Sequence, residues 1–280
     1  MTCVEAYAKL NLGLRIVGRR PDGYHELDSI VQTVDLADRI TFEIEGDCLR
    51  VENTLDVPME QDLGYRAARA MLEQKGVSIG VRIRIDKRIP VGAGLGGGST
   101  DAAAILTTLD QLTPPEVARD TLHQLATKLG ADVPLFLTGG TLRIRGIGEN
   151  VEPLNEDMGH AYAVVVPPIH CDTAKVYGAL HRERIGTPNG RPPEPGENDL
   201  LEPALRLYPG LRSYLETIGR IPCRFAGMSG SGSAFYAACD CPEQAHEIAD
   251  RLRVAHPEAG VYVVCPTPQG QGRVEARRTQ

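Results

Sequence analysis

Pro90-Val91-Gly92-Ala93-Gly94-Leu95-Gly96-Gly97-Gly98-Ser99-Thr100 is the stretch on which the fold turns. Before it, Ile79, Val81, Ile83 and Ile85 alternate with polar or small residues, the period of a half-buried strand; after it, an Ala-rich segment carries helical spacing over 99–111. A flexible linker has no need to join a strand directly to a helix that opens with Ser or Thr. Glycine admits positive φ and close backbone approach, so successive N–H groups can converge on an anion while the helix N-terminus adds its partial positive charge. The whole run from Pro90 to Thr100 therefore reads as a phosphate cradle, with Ser99 available as the helix N-cap. Walker A would require Lys after the last Gly, and Gly98 is followed by Ser99. Gly92, Gly94 and Gly97 satisfy GxGxxG, but a dinucleotide fold would place a strand with an acidic residue about 20 positions on, and more helix follows.

Outward from the loop, Ile40, Phe42 and Ile44 predict a strand, Leu63, Ala67, Ala70 and Met71 a helix, and Gly130 the C-cap of a further helix, with strand resuming over 141–145. The second half changes order. An apolar strand over 161–166, helical segments, strands near 223–228 and 234–238, a helix over 243–253 and a strand over 260–265 make a βαββαβ sequence, the ferredoxin-like or split-βαβ arrangement. The seam falls near 150–160, giving domains 1–155 and 156–280. The Gly- and Pro-rich run 186–196 is expected to be a mobile surface loop, and the polar tail after Pro268 to be frayed.

A chain of 280 residues with 42% hydrophobic and 24% charged residues can build cores of that size, which excludes disordered and disulfide-scaffold classes. Thirty basic against 37 acidic side chains leave a net charge of −7, so no broad positive field exists for nucleic acid or an anionic membrane. No apolar run approaches the roughly 18 residues of a membrane span. Seven scattered cysteines, an odd number, read as reduced thiols in a cytoplasm, and Cys239-x-Cys241 lacks a second ligand pair for zinc. A soluble small-molecule protein, monomer or weak homodimer, is the expectation.

Taken with the N-terminal Ala6-Tyr7-Ala8-Lys9-Leu10-Asn11-Leu12 and the C-terminal Gly227-Met228-Ser229-Gly230-Ser231-Gly232-Ser233, the loop resembles the GHMP kinase superfamily, whose phosphate loop runs P-x-G-x-G-L-G-(G)-S. Within it, GRRPDGYHELDSIVQTVDLAD from Gly18 and GADVPLFL from Gly130 are similar to the 4-diphosphocytidyl-2-C-methyl-D-erythritol kinases. The resemblance runs from residue 6 to about residue 265. It implies an α+β, two-domain GHMP kinase fold: an N-terminal ribosomal-protein-S5-like domain and a C-terminal ferredoxin-like one. It also implies ATP-dependent phosphorylation of the 2-hydroxyl of a cytidine-diphosphate-linked methylerythritol, on the non-mevalonate isoprenoid route.

The family pattern makes Asp132 the base toward the acceptor hydroxyl and Lys9 its cationic partner, and places Lys87 on the nucleotide side with Pro90, Val91, Gly92, Ala93, Gly94, Leu95, Gly96, Gly97, Gly98, Ser99 and Thr100. His25 would read the cytosine edge, Tyr24 and Tyr177 would stack on its faces, and Asn11 and Thr173 would line the acceptor wall. Taken singly, Asp132 reads equally well as a helix N-cap, Lys9 as a solvated strand lysine, Tyr24-His25 as turn-flanking residues, and the second glycine run as a tight hairpin. Mg²⁺ is implied by ATP chemistry, held mainly by phosphates and water with Ser99 or Thr100 nearby; no metal ligand is assigned. Asp62 stands where relatives carry Asn, which puts an adenine contact there in doubt, since a carboxylate cannot donate. Another GHMP-type small-molecule kinase, or a non-catalytic nucleotide-binding protein on the same fold, are the competing readings.

Overall fold

A computed structural model describes residues 1–53, 58–156, 158–180 and 190–274. Two long strands, β1 (Thr2–Arg19) and β2 (His25–Ile44), form an antiparallel pair joined by the turn that carries Pro21-Asp22-Gly23. One part of β2 pairs with β4 (Val81–Asp86), which in turn carries β3 (Leu49–Glu52) in parallel; its other part pairs with β5 (Thr141–Gly146), and β5 with β6 (Asn150–Pro153). Helices α1 (Leu63–Lys75), α2 (Gly97–Leu112), α3 (Arg119–Leu129) and α4 (Val133–Thr138) pack together beside this sheet. Helix α1 is closed at both ends by its own sequence: Asp62 caps it by accepting from Tyr65 N at 2.8 Å, and Gly76 ends it at φ +62°.

The second sheet holds β7 (Ala161–Val166), β8 (Phe225–Met228), β9 (Phe235–Cys239) and β10 (Gly260–Val264) in the order β10-β7-β9-β8, antiparallel throughout. Between β7 and β8 lie α5 (Thr173–Gly178), α6 (Leu201–Leu207) and α7 (Arg212–Gly219), and α8 (Pro242–Ala255) crosses from β9 to β10. This is the expected ferredoxin-like order with an elaborated first helical leg. Among the described residues, no helix is long and apolar enough to cross a membrane.

The buried apolar positions of β1 all have even numbers, yet they serve two cores. Val4, Ala6, Leu14 and Ile16 join the larger apolar cluster, whereas Ala8, Leu10 and Leu12 join a smaller one with Tyr162, Val164, Tyr236 and Val264 of the second sheet. Register shifts between Tyr7 and Ala8 and between Asn11 and Gly13 bracket the switch, because a bulge turns the side chains that follow it to the other face. Lys9 and Asn11, two residues apart, thus share a face opposite that smaller core.

Two expectations are corrected. Residues 271–274 are not frayed: they form β11 (Gln271–Val274), which pairs antiparallel with β1 from Cys3 to Ala6, while Tyr7 N donates to Gly270 O at 3.1 Å. The ladder supplies the backbone partners that the polar side chains gave no reason to expect. Of the run 186–196, residues 186–189 lie outside the described residues. The remainder is laid against β1: Gly196 N donates to Leu12 O at 2.7 Å and Leu14 N to Glu197 O at 2.8 Å. Pro193 packs so closely on Gly13 that a Cβ there would lie 3.1 Å from its ring.

Candidate active site

The glycine loop leaves β4, passes over the edge of β1 and delivers its chain into α2. Helix α2 starts at Gly97 with Gly96 as N-cap, so Ser99 sits inside the first turn and is not the cap. Gly94 and Gly96 both adopt φ +75°. A Cβ on Gly94 would lie 2.2 Å from Ser229 O, and one on Gly96 2.7 Å from the Phe136 ring and 3.1 Å from Lys9 Cγ. Both the left-handed backbone and the missing side chain are needed at these two positions. Lys9 N donates to Leu95 O at 3.0 Å, Ala234 N to Ala93 O at 3.1 Å, and Ser229 Oγ to Gly94 O at 2.8 Å. The loop is thereby tied to both sheets, and it leads directly into the N-terminus of a 16-residue helix, where the first-turn N–H groups have no partner within the helix.

A cavity of about 710 Å³ opens there, and Lys9, Asn11, Tyr24, His25, Gly94, Gly96, Ser99, Asp132, Thr173 and Tyr177 all line it. Lys9 Nζ is 3.7 Å from Asp132 Oδ2 and also donates to Asn11 Oδ1. Burial pushes the Lys9 ammonium below its ordinary pKa, against the pull of the Asp132 carboxylate. Asn11 is oriented in turn: its Nδ2 donates to Ser29 Oγ at 3.0 Å, and its backbone N–H to Ser229 Oγ at 3.1 Å. Asp132 occupies the N-cap position of α4 but makes no capping hydrogen bond, so its carboxylate is committed to Lys9 and to the cavity.

On another part of the wall, the His25 and Tyr177 rings lie 5.5 Å apart at 34°, and Tyr24 beside them is 61% exposed. Burial, and then the charge of Arg19, lower the His25 pKa, which favours the neutral imidazole; burial, and then Asp132, raise that of the Tyr177 phenol. Thr173 Oγ1 is 2.9 Å from Ser231 Oγ. The second glycine run is a hairpin between β8 and β9 and also a wall of the cavity, through Gly230 and Ser231. Asn198 holds it from behind, donating to Met228 O at 2.7 Å and to Gly230 O at 2.8 Å.

Lys87 is not brought to this wall. It is buried behind the loop, where its Nζ bridges Asp38 and, at 2.7 Å, Asp101 Oδ2. Pro90, Val91, Gly92, Ala93, Leu95, Gly97, Gly98 and Thr100 shape the loop without lining the cavity. Asp62 spends one oxygen on its cap and the other on Asn53 Nδ2. Reading from sequence missed Arg19, Ser29 and Asn198, whereas Ser229 and Ser231 belong to the second glycine run that the sequence already singles out.

The chain matches the model for the GHMP kinases N terminal domain over residues 62–140 and that for the GHMP kinases C terminal over 188–257. It is 40% identical over 238 residues to a 4-diphosphocytidyl-2-C-methyl-D-erythritol kinase of Nitrosospira multiformis, covering 83% of this chain and 81% of that one. To the enzyme of that name from Thermus thermophilus it is 41% identical over 259 residues, 89% and 91% of the two chains. A crystal structure of 4-(cytidine 5'-diphospho)-2C-methyl-D-erythritol kinase superposes with a TM-score of 0.80 at 39% identity over 93% of this chain and 98% of that one. Homoserine kinase from Cytophaga hutchinsonii shares the fold, with a TM-score of 0.76 at 17% identity over 98% and 97% of the two chains. Identity of this order, sustained across most of both partners, makes the chain a member of the 4-diphosphocytidyl-2-C-methyl-D-erythritol kinase family within the GHMP kinases.

Proposed function

We propose that the protein transfers the γ-phosphoryl group of ATP to the tertiary 2-hydroxyl of 4-diphosphocytidyl-2-C-methyl-D-erythritol, a step toward isoprenoid precursors. The single observation that carries the site assignment is that one cavity combines the phosphate loop and the Lys9–Asp132 pair with the rings of Tyr24, His25 and Tyr177. In the reaction the acceptor oxygen bonds to the γ-phosphorus, the bond to the β,γ-bridging oxygen breaks, and ADP leaves with that electron pair. Asp132 takes the hydroxyl proton. Lys9, fixed by Asn11, offsets charge on the transferred group.

The left-handed glycines and the first turn of α2 fit the nucleotide phosphates. For Mg²⁺ the donor set is sparse: among the described residues no three His, Cys, Asp or Glu cluster, whereas Ser99 lines the cavity and the buried Thr100 hydroxyl has no hydrogen-bond partner. This suits an ion that arrives on the phosphates, keeps its waters and takes at most a hydroxyl from the chain. Once bound, it supplies charge neutralisation on the phosphate oxygens. Lys87 serves the nucleotide from behind the loop. Residues 1–155 carry the loop and residues 156–280 the second glycine hairpin, with the strand 271–274 returned to the first sheet. Seven unbridged thiols support a reducing cytoplasm, and we take the working form as a monomer or weak homodimer.

ADP release, measured with the cytidine-linked acceptor against mevalonate, galactose and homoserine, tests the reading. Only the first should be turned over efficiently. Methylerythritol 4-phosphate, which lacks the cytidylyl group, should be a very poor acceptor, and Tyr177→Ala should cost about 1–3 kcal/mol in kcat/KM, the worth of one base–aromatic stack. Comparable efficiency on the uncytidylylated compound would overturn the pocket assignment.

A further inference from the structure

The cations around the acceptor wall are nearly all spent. Arg15 forms a fork with Glu197 at 2.9 and 2.6 Å, and Arg143 another with Asp28 at 2.8 and 2.7 Å. Arg20 bridges Glu26 at 3.2 Å and Glu149 at 2.8 Å, Arg145 pairs with Glu152 at 2.8 Å, and Lys9 faces Asp132. Arg19 is the exception. It lines the cavity next to Gly23, Tyr24 and His25, and its one hydrogen bond runs from Nε to Gly23 O at 3.3 Å. Among the described residues it has no carboxylate partner, and nothing accepts from its two terminal nitrogens. Its charge is nonetheless felt at the His25 ring, where it disfavours a second cation.

An unpaired guanidinium on a cavity wall is a planar donor fork without an acceptor, the arrangement that matches phosphate oxygens. The acceptor of the proposed reaction carries two phosphates between its base and the alcohol that reacts. Lys9, already opposed by Asp132, is engaged at the alcohol. We propose that Arg19 is the residue that recognises the acceptor's diphosphate, so that the cavity selects a nucleoside-diphosphate-linked alcohol through a charged contact as well as through the base. This inference rests on the kinase reading and specifies the part of the acceptor that the aromatic residues leave unread.

The test separates phosphate from base by competition. Cytidine diphosphate and cytidine are each used as inhibitors competitive with the acceptor, on the wild-type protein, Arg19→Gln and Arg19→Lys. Arg19→Gln should raise the inhibition constant of cytidine diphosphate on the order of tenfold or more at low salt, leave that of cytidine unchanged, and leave the KM for ATP unchanged. Arg19→Lys, which keeps the charge and loses the fork, should fall between. If Arg19→Gln binds both inhibitors like the wild type, or weakens both equally, the assignment of Arg19 to the diphosphate is overturned while the kinase reading stands. If the wild-type protein binds neither inhibitor, both are overturned.

Discussion

The Lys9 ammonium and the Asp132 carboxylate lie 3.7 Å apart with unequal access to solvent, 5% exposed on one side and 38% on the other. The cation is held inside the fold by Asn11 and β1, and the acid stands at the end of α4 with room for a hydroxyl beside it. Asp132→Asn and Lys9→Ala should therefore each lower kcat by on the order of 10²–10⁴, with a much smaller change in the KM for ATP. Steady-state kinetics with the acceptor saturating checks this; near wild-type turnover in either variant would remove that residue from the chemistry.

Gly96 gives a sharper test of the cradle. Valine there must adopt φ +75° and place carbon 2.7 Å from the Phe136 ring, in addition to covering the N–H groups meant for phosphate. Backbone strain of about 1–3 kcal/mol is the expected stability cost. ATP binding, followed by calorimetry, should be lost while circular dichroism stays native. Unchanged affinity would show that the loop does not hold the nucleotide.

His25 makes the acceptor site sensitive to acid. Burial, and then Arg19, depress its pKa in the folded protein, so the neutral ring prevails at neutral pH and is lost as pH falls through a value below about 6.5. The KM for the acceptor should rise over that acid window with little change in the KM for ATP. Arg19→Gln should move the titration of the His25 ring protons, followed by NMR, toward higher pH. A pH-independent acceptor KM between pH 5 and 8 would contradict the role.

Behind the loop, Lys87 neutralises two carboxylates that are themselves almost wholly buried, Asp38 and Asp101. Asp38 also accepts from Ile89 N at 2.8 Å and from Arg88 N, so the cluster ties β2, the entry to the loop and α2 together. Lys87→Met should cost about 3–5 kcal/mol, measured by urea unfolding, because it leaves buried charge unpaired. Burial in the first place, then Asp38, push the Asp101 carboxyl up to about 7 against the pull of Lys87. A raised acid pKa means that the folded state binds the extra proton, so Asp101's own contribution to stability should decline as pH rises from about 4 through 7, and the stability of wild type relative to Asp101→Asn should fall over that window.

What the sequence discloses about this site is local. The glycine loop, the turn before Tyr24-His25 and the short run that ends in Lys9-Leu10-Asn11 are each contiguous, but only the glycine loop shows its chemistry by itself; Lys9, Asn11, Tyr24 and His25 take their roles from the resemblance to a known family. Arg19 stays hidden because an arginine's meaning depends on whether a carboxylate meets it, and Glu197, Glu149 and Asp28, which satisfy Arg15, Arg20 and Arg143, are set by sheet pairing and by a segment far away in the chain. Asn198 is unreadable for the same reason: its two carbonyl partners lie about 30 residues on. Lys87 is legible as a lysine before a phosphate loop, but only the fold shows that Asp38 and Asp101 close around it. The fold class comes through well because βαββαβ order is written in periodicity, whereas β11 is written in nothing but the backbone of β1.

That last pairing sets an order of assembly. The outer edge of β1 from Cys3 to Ala6 stays unpaired until Val274 has been synthesised. Nearly the whole chain must emerge and loop back before this ladder closes, a contact of the long-range kind that slows folding and leaves strand N–H and C=O groups on offer in the meantime. During translation the molecule carries an open edge on the strand that also bears Lys9, so partial products of synthesis present a site for pairing with one another. Chains truncated just before Gln271 keep that edge permanently, and aggregation rather than loss of a catalytic group is the damage they should show.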